Sequence, residues 1–269
     1  MKTNGLEHIA NAFSQARTHG RAALMPYYTL GFPDAARSLS VLESIACSGA
    51  DLIELGIHFS DPLADGPTIQ HSTQVALEQG ASLERCLTWV AQLRQRGVRQ
   101  PLMLMGYINP ILAFGVQRFV EAADHAGADG FIVPDLPPEE AGELEAACFA
   151  RQLALVFLAA PTSTPDRLSL IAAHTTGFLY LVSLTGVTGA RRDLSQDLAS
   201  FTQRARAATR TPLAIGFGVS TPAQARTVGQ LAEGVIIGSA LIDSVAHADD
   251  PAAAAAAFVS QMANSLIGH

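Results

Sequence analysis

The chain has 269 residues, of which 49% are hydrophobic and 15% charged, a composition that supplies a large core and excludes disorder as the main state. Seventeen Lys and Arg against 24 Asp and Glu leave a net charge of −7. Such a surface repels phosphate backbones and anionic head groups, so neither nucleic acid nor a membrane is an expected partner.

Residues 1–7 carry no apolar stretch of a signal peptide, and the run 252–259 is far shorter than the ~20 residues that cross a bilayer. That run reads as a last helix, and the protein is expected to be cytoplasmic. Short apolar runs fall at residues 23–29, 52–57, 102–105, 130–133, 154–158, 178–182, 213–215 and 235–237. Helical segments separate them, which predicts repeated βα units and a parallel sheet. The gap after the second run holds two helical stretches, 69–78 and 83–95. An internal repeat, Gly49-Ala50-Asp51 and Gly127-Ala128-Asp129, joins a helix stop to a strand, with Ala232-Glu233-Gly234 as a degraded copy. Thr164-Pro165 and Thr221-Pro222 mark helix starts. No linker divides the chain and no GxGxxG follows the first strand. The expectation is therefore one domain over residues 1–269, a (β/α)8 TIM barrel with additional helices at the N-terminus and after strand 2.

In such a barrel, chemistry sits at the C-terminal ends of the strands. Alternation along 52–57 turns Ile53, Leu55 and Ile57 to the helix layer and Glu54 inward. An inward carboxyl is either tied up in an ion pair or held at a raised pKa that suits general acid–base work. Asp61 and Asp65 follow in a Pro- and Gly-rich loop, and spacing alone does not decide which of them faces a ligand. Glycines cluster after the last three strands, at Gly186 and Gly189, at Gly216 and Gly218, and at Gly238-Ser239. No Lys or Arg lies in the last two of these loops. Backbone N–H groups and a helix dipole then become the anion donors, a phosphate cradle suited to an acidic chain. The loop around Thr188, with Arg191 and Arg192 after it, reads as a mobile lid. Tyr180 is expected to line the interior with Glu54 as a partner for its hydroxyl, and Tyr27 and Tyr107 to wall an aromatic pocket. The eight His residues form no ligand pattern, so no metal is assigned. Cys47, Cys86 and Cys148, widely spaced and odd in number, read as reduced core thiols.

Glu54-Leu55-Gly56 followed by Phe59-Ser60-Asp61-Pro62-Leu63-Ala64-Asp65-Gly66-Pro67-Thr68 resembles the signature of the tryptophan synthase alpha subunit family. Met105-Gly106-Tyr107, Asn109-Pro110, Pro134-Asp135-Leu136-Pro137, Gly186-Val187-Thr188-Gly189, Gly216-Phe217-Gly218 and Gly238-Ser239-Ala240 agree with it. The resemblance implies a barrel that cleaves indole-3-glycerol phosphate by a retro-aldol reaction, with no cofactor of its own. It implies a pyridoxal-phosphate-dependent beta subunit as partner in an α2β2 complex. It also implies Glu54 as the acid–base, Asp65 on the indole N–H, and Thr188 orienting Asp65. Tyr180 would support Glu54, and Gly189, Gly218, Gly238 and Ser239 would act as phosphate donors beside Tyr27. A stand-alone lyase that releases indole and a non-catalytic phosphate-sensing subunit are the competing readings. His58 stands where the family carries Pro, and is expected to relax the loop that follows it and to titrate near neutral pH.

Overall fold

Strands enclosed on both faces need apolar side chains throughout, and every residue of Ala23–Thr29 is buried. The computed structural model describes residues 4–182, 191–216 and 218–267, the side chains of 191–196 excepted. Ala23–Thr29 (β1), Ile53–Gly56 (β2), Leu102–Met105 (β3), Gly130–Ile132 (β4) and Ala154–Val156 (β5) lie in one half of the sheet. Leu158–Ala159 (β6), Leu179–Val182 (β7), Leu213–Gly216 (β8) and Gly234–Ile237 (β9) make the other. The order is β5-β4-β3-β2-β1-β9-β8-β7-β6, with every pairing parallel. β5 and β6 are the two ends of the predicted fifth strand, parted at Phe157, so this one stretch of chain closes the ring and the predicted eight-stranded barrel is borne out. Other strand boundaries shift by one residue at most.

Helices form the outer layer. Gly5–Thr18 (α1) precedes β1, and Ala35–Cys47 (α2) follows it. Pro67–Glu78 (α3) and Leu83–Gln95 (α4) fill the predicted double-helix gap after β2. Ile108–Phe114 (α5), Val116–Ala126 (α6), Gly142–Arg151 (α7), Pro165–His174 (α8), Arg191–Ala208 (α9) and Pro222–Gly229 (α10) continue the layer. Ser239–Ala246 (α11) and Pro251–Leu266 (α12) end it. Thr164 caps α8, and Thr221 with Gln224 forms a full capping box on α10. Among the described residues, no helix is long and apolar enough to cross a membrane.

The internal repeat has a structural reason beyond its glycines. Asp51 accepts from the Leu24 N–H at 2.8 Å and pairs with Arg21 at 2.5 Å. Asp129 accepts from the Leu102 N–H at 2.8 Å and pairs with Arg94 at 2.6 Å. Glu233 accepts from the Leu213 N–H at 2.8 Å and pairs with Arg206. In each copy the acid before one strand holds the first N–H groups of its neighbour, and an arginine from the segment entering that neighbour neutralises it. The repeat thus fastens the N-terminal ends of the strands and leaves their C-terminal ends to the site. One cysteine departs from the sequence expectation: Cys86 and Cys148 are buried, whereas Cys47 is exposed because it ends α2 on the outer face.

Two glycines at the C-terminal ends of strands are required by close approach. A Cβ on Gly56 would stand 2.1 Å from the Tyr27 hydroxyl, and one on Gly216 would stand 2.3 Å from the Tyr180 hydroxyl. Each tyrosine lies across the glycine of the adjacent strand. Gly56→Ala and Gly216→Ala should each lower stability by roughly 1–3 kcal/mol. Gly142→Ala, whose Cβ meets nothing within 4 Å, should stay within about 0.5 kcal/mol. Urea unfolding checks this, and equal midpoints for all three variants would contradict the packing.

Candidate active site

The register sets Tyr27 of β1 and Met103 of β3 on either side of Glu54. Because Ile53 and Leu55 turn outward into the helix layer, Glu54 must turn in. It does so at the floor of a cavity of about 260 Å³ walled by Tyr27, Met105, Tyr180 and Asp65. Glu54 is 0% exposed, and among the described residues neither of its carboxylate oxygens has a hydrogen-bond partner. Burial without compensation pushes its pKa well above the usual carboxylate range. The group therefore carries a proton at pH values where an exposed Glu has lost it.

The expected pairing of Tyr180 with Glu54 is not made. The Tyr180 hydroxyl lies over Gly216 instead, since the space left by that glycine takes the ring sideways along the barrel wall. Tyr180 still lines the cavity, and burial, with the Glu54 charge next in effect, raises its pKa. Tyr27 lines the cavity as expected.

Of the two loop aspartates, Asp65 reaches the cavity. Asp61 is exposed, with its carboxylate accepting from the Ser60 hydroxyl at 2.6 Å. Burial lifts the Asp65 pKa to about 6, against a hydrogen bond from Tyr107 that lowers it. Tyr107 is not a wall of this cavity. It stands behind the loop, among Phe59, Asp61 and Asn109. There its hydroxyl accepts from the Ala64 N–H at 2.9 Å and lowers the Asp65 pKa. It thereby ties down the backbone just before Asp65.

Gly218, Gly238 and Ser239 line the same cavity. Gly218 has φ +81°, a left-handed conformation that other residues rarely adopt. Gly238 is the N-cap of α11, and its carbonyl takes the Leu241 and Ile242 N–H groups. The N–H groups of Ser239 and Ala240, with no preceding turn, have no intrahelical acceptor, and both residues line the cavity. The Gln224 side chain accepts from the N–H of Ser220 and of Thr221 at 2.9 and 3.1 Å and so draws in the loop after β8. Thr188 and Gly189 lie outside the described residues. The sequence reading also missed Gly66, Ile69, Ser220 and Asp243, which line the same cavity. Asp243 had a signal, since it follows Ser239 by one helical turn.

His58 corrects two expectations. It is 8% exposed, with Nε2 on the Leu30 carbonyl at 2.5 Å and Nδ1 at 3.3 Å from the Cys86 thiol. Its ring stands edge-to-face with Trp89, the ring centroids 6.4 Å apart. Burial pushes its pKa down to about 4, so it stays neutral through the physiological range. Both ring nitrogens are engaged, and the residue anchors the start of the loop instead of relaxing it.

Comparison with known proteins agrees with this architecture. The family described as tryptophan synthase alpha chain matches residues 13–266. The tryptophan synthase alpha chain of Chloroflexus aggregans is 51% identical over 238 residues, 88% of this chain and 89% of that one. That of Chloroflexus aurantiacus is 47% identical over 263 residues, 97% and 99% of the two chains. The crystal structure of tryptophan synthase subunit alpha from Legionella pneumophila superimposes with a TM-score of 0.90 at 36% identity, covering 96% of this chain and 98% of that one. A chain of tryptophan synthase from M. tuberculosis, in an aminoacrylate- and BRD0059-bound form, gives 0.89 at 34% identity over 97% and 98%.

Glu54→Gln should stabilise the fold increasingly as pH rises. Below the unfolded-state pKa both states of the native protein are protonated and the pKa shift makes no difference. Above it the unfolded chain releases a proton that folded Glu54 retains, so native stability is lost by up to about 1.4 kcal/mol per pH unit until the folded pKa is passed. The glutamine variant escapes that loss. Melting temperatures at pH 5 and pH 8 check this: the variant's advantage should be larger at pH 8, and an advantage equal at both would contradict an uncompensated Glu54.

Proposed function

The chain belongs to the tryptophan synthase alpha chain family, whose members cleave indole-3-glycerol phosphate to indole and glyceraldehyde 3-phosphate, and from that premise we propose how its own residues perform the reaction. The observation that carries the proposal is a buried carboxyl, unpartnered among the described residues, in a cavity that Gly218, Gly238 and Ser239 also line.

Glu54, protonated as the substrate arrives, gives its proton to C3 of the indole ring. Positive charge then develops at the ring nitrogen, and Asp65, in its ionised form, accepts the indole N–H and stabilises that charge. Glu54, now a carboxylate, removes the proton of the C3′ hydroxyl. The oxygen electron pair forms the aldehyde carbonyl, the C3–C3′ bond breaks, and its electrons restore the aromatic ring. Glu54 ends with the proton count at which it began, so a single carboxyl serves as acid and then as base. Tyr107 fixes Asp65, and Tyr27 and Tyr180 exclude water around Glu54. Gly218, Gly238 and Ser239 hold the phosphate through backbone donors, together with Gly189. Thr188 orients Asp65. Indole passes to a pyridoxal-phosphate-dependent beta subunit in an α2β2 complex, and the chain itself needs no cofactor. The reading extends to a cytoplasmic location, which the three free thiols support.

Glu54→Gln should lower kcat by about two to four orders of magnitude and change glycerol 3-phosphate affinity less than about threefold, because the phosphate donors are backbone groups of other elements. Cleavage within tenfold of the unaltered protein would end the acid–base role. Activity should fall as pH drops through about 6, where Asp65 gains its proton. In Asp65→Asn that acid limb should disappear along with most of the rate. A limb that survives unchanged would assign it to another group. Addition of a beta subunit should raise turnover of indole-3-glycerol phosphate, and unaltered turnover would contradict the partnership.

A further inference from the structure

A cavity that takes a phosphate ester is expected to present cations, and this one presents none among its described residues. Its charged lining residues are Glu54, Asp65 and Asp243, all acidic. Glu54 and Asp65 are assigned to the reaction. Asp243 goes with the anion donors: it lies on α11 one turn beyond Ser239, the spacing that puts two side chains on the same helix face, and both line the cavity. It is exposed and has no ion pair or hydrogen bond among the described residues. The elements packed against α11 are α3, α12 and β1. None carries a lysine or arginine, and their titratable side chains are His71 and Glu78 on α3 and Tyr27 and Tyr28 on β1. A fixed negative charge therefore stands, uncompensated by these neighbours, beside the donors that receive the phosphate.

We propose that Asp243 is a specificity-determining residue that weakens the hold of the cradle on dianionic ligands. The proposal rests on the phosphate-binding reading given above. An anion bound at Ser239 and Ala240 and the Asp243 carboxylate compete for the same helix dipole, which supplies about half a unit of positive charge. Backbone donors supply enough attraction to seat a singly phosphorylated ester, while Asp243 opposes it, speeds the departure of phosphorylated product and disfavours esters of higher charge. The neutral indole portion is recognised elsewhere in the cavity and lies outside this effect.

The test compares the unaltered full chain with Asp243→Asn by calorimetric titration of glycerol 3-phosphate and of inorganic phosphate. In about 20 mM salt the variant should bind both about 3- to 10-fold more tightly, and in about 0.5 M salt the gain should shrink below about twofold, because exposed charges are screened. Asp243→Glu should keep the native affinity, and indole affinity should be the same in all three proteins. Equal or weaker phosphate binding by Asp243→Asn at low salt would overturn the proposal, as would a gain that salt leaves unchanged. If neither phosphate ligand binds the unaltered protein, the cradle fails and this inference falls with it. Binding of equal strength in both proteins overturns the role of Asp243 alone.

Discussion

The site turns on the desolvation of one carboxyl. Glu54 stands inside a parallel barrel with no hydrogen bond to either oxygen among the described residues, and an ionised carboxylate in such a place would forfeit its hydration without compensation. Protonation relieves that penalty. Everything around Glu54 sustains the condition: Tyr27 and Tyr180 lie flat along the wall, each over a glycine of the next strand, and bring large apolar rings close while their hydroxyls stay off the carboxyl. A hydrogen bond from either tyrosine would favour the anion and spoil the acid. The fold thus accepts a loss of stability at neutral pH in exchange for a proton held where the chemistry needs it.

The two ends of the barrel divide the work. At the N-terminal ends three acid–arginine pairs recur through the repeat and lock adjacent strands by their first N–H groups. At the C-terminal ends the polar groups are left unpaired or poised. The backbone just before Asp65 is held by Tyr107, and the loop that bears it is anchored at its base by a neutral, buried His58. The donors at the start of α11 are backbone amides. This is how an acidic chain can seat an anion, since the attraction comes from oriented dipoles and no cationic side chain is required.

Much of this was legible in the sequence. Aliphatic runs of strand length, separated by 3.6-period segments, gave the strands to within a residue. Alternation around Glu54 turned it inward, because the β-branched and leucine positions beside it could only belong to the helix layer. The glycine clusters after the last strands pointed to a backbone-lined anion site. What stayed hidden depends on distances between segments remote in the chain. Whether Tyr180 reaches Glu54 or lies over Gly216 is set by a glycine 36 positions further along. Tyr107 sits behind the Asp65 loop because of how that loop folds back, which spacing does not encode. His58 loses its ordinary titration because Cys86 and Trp89 of α4 close over it, a burial invisible in its own neighbourhood. The acids of the repeat gave no sign of their backbone partners, since a strand-capping Asp and a turn Asp look alike in sequence.

The most direct test of the central claim is the protonation state of Glu54 itself, read by infrared difference spectroscopy of the unaltered protein against Glu54→Gln across pH 4–9. A protonated-carboxyl band that persists at pH 7, is absent from the variant and fades only at higher pH is the predicted result. A Glu54 signal that converts to the carboxylate form near pH 4.5, together with the exposed glutamates, would contradict the account.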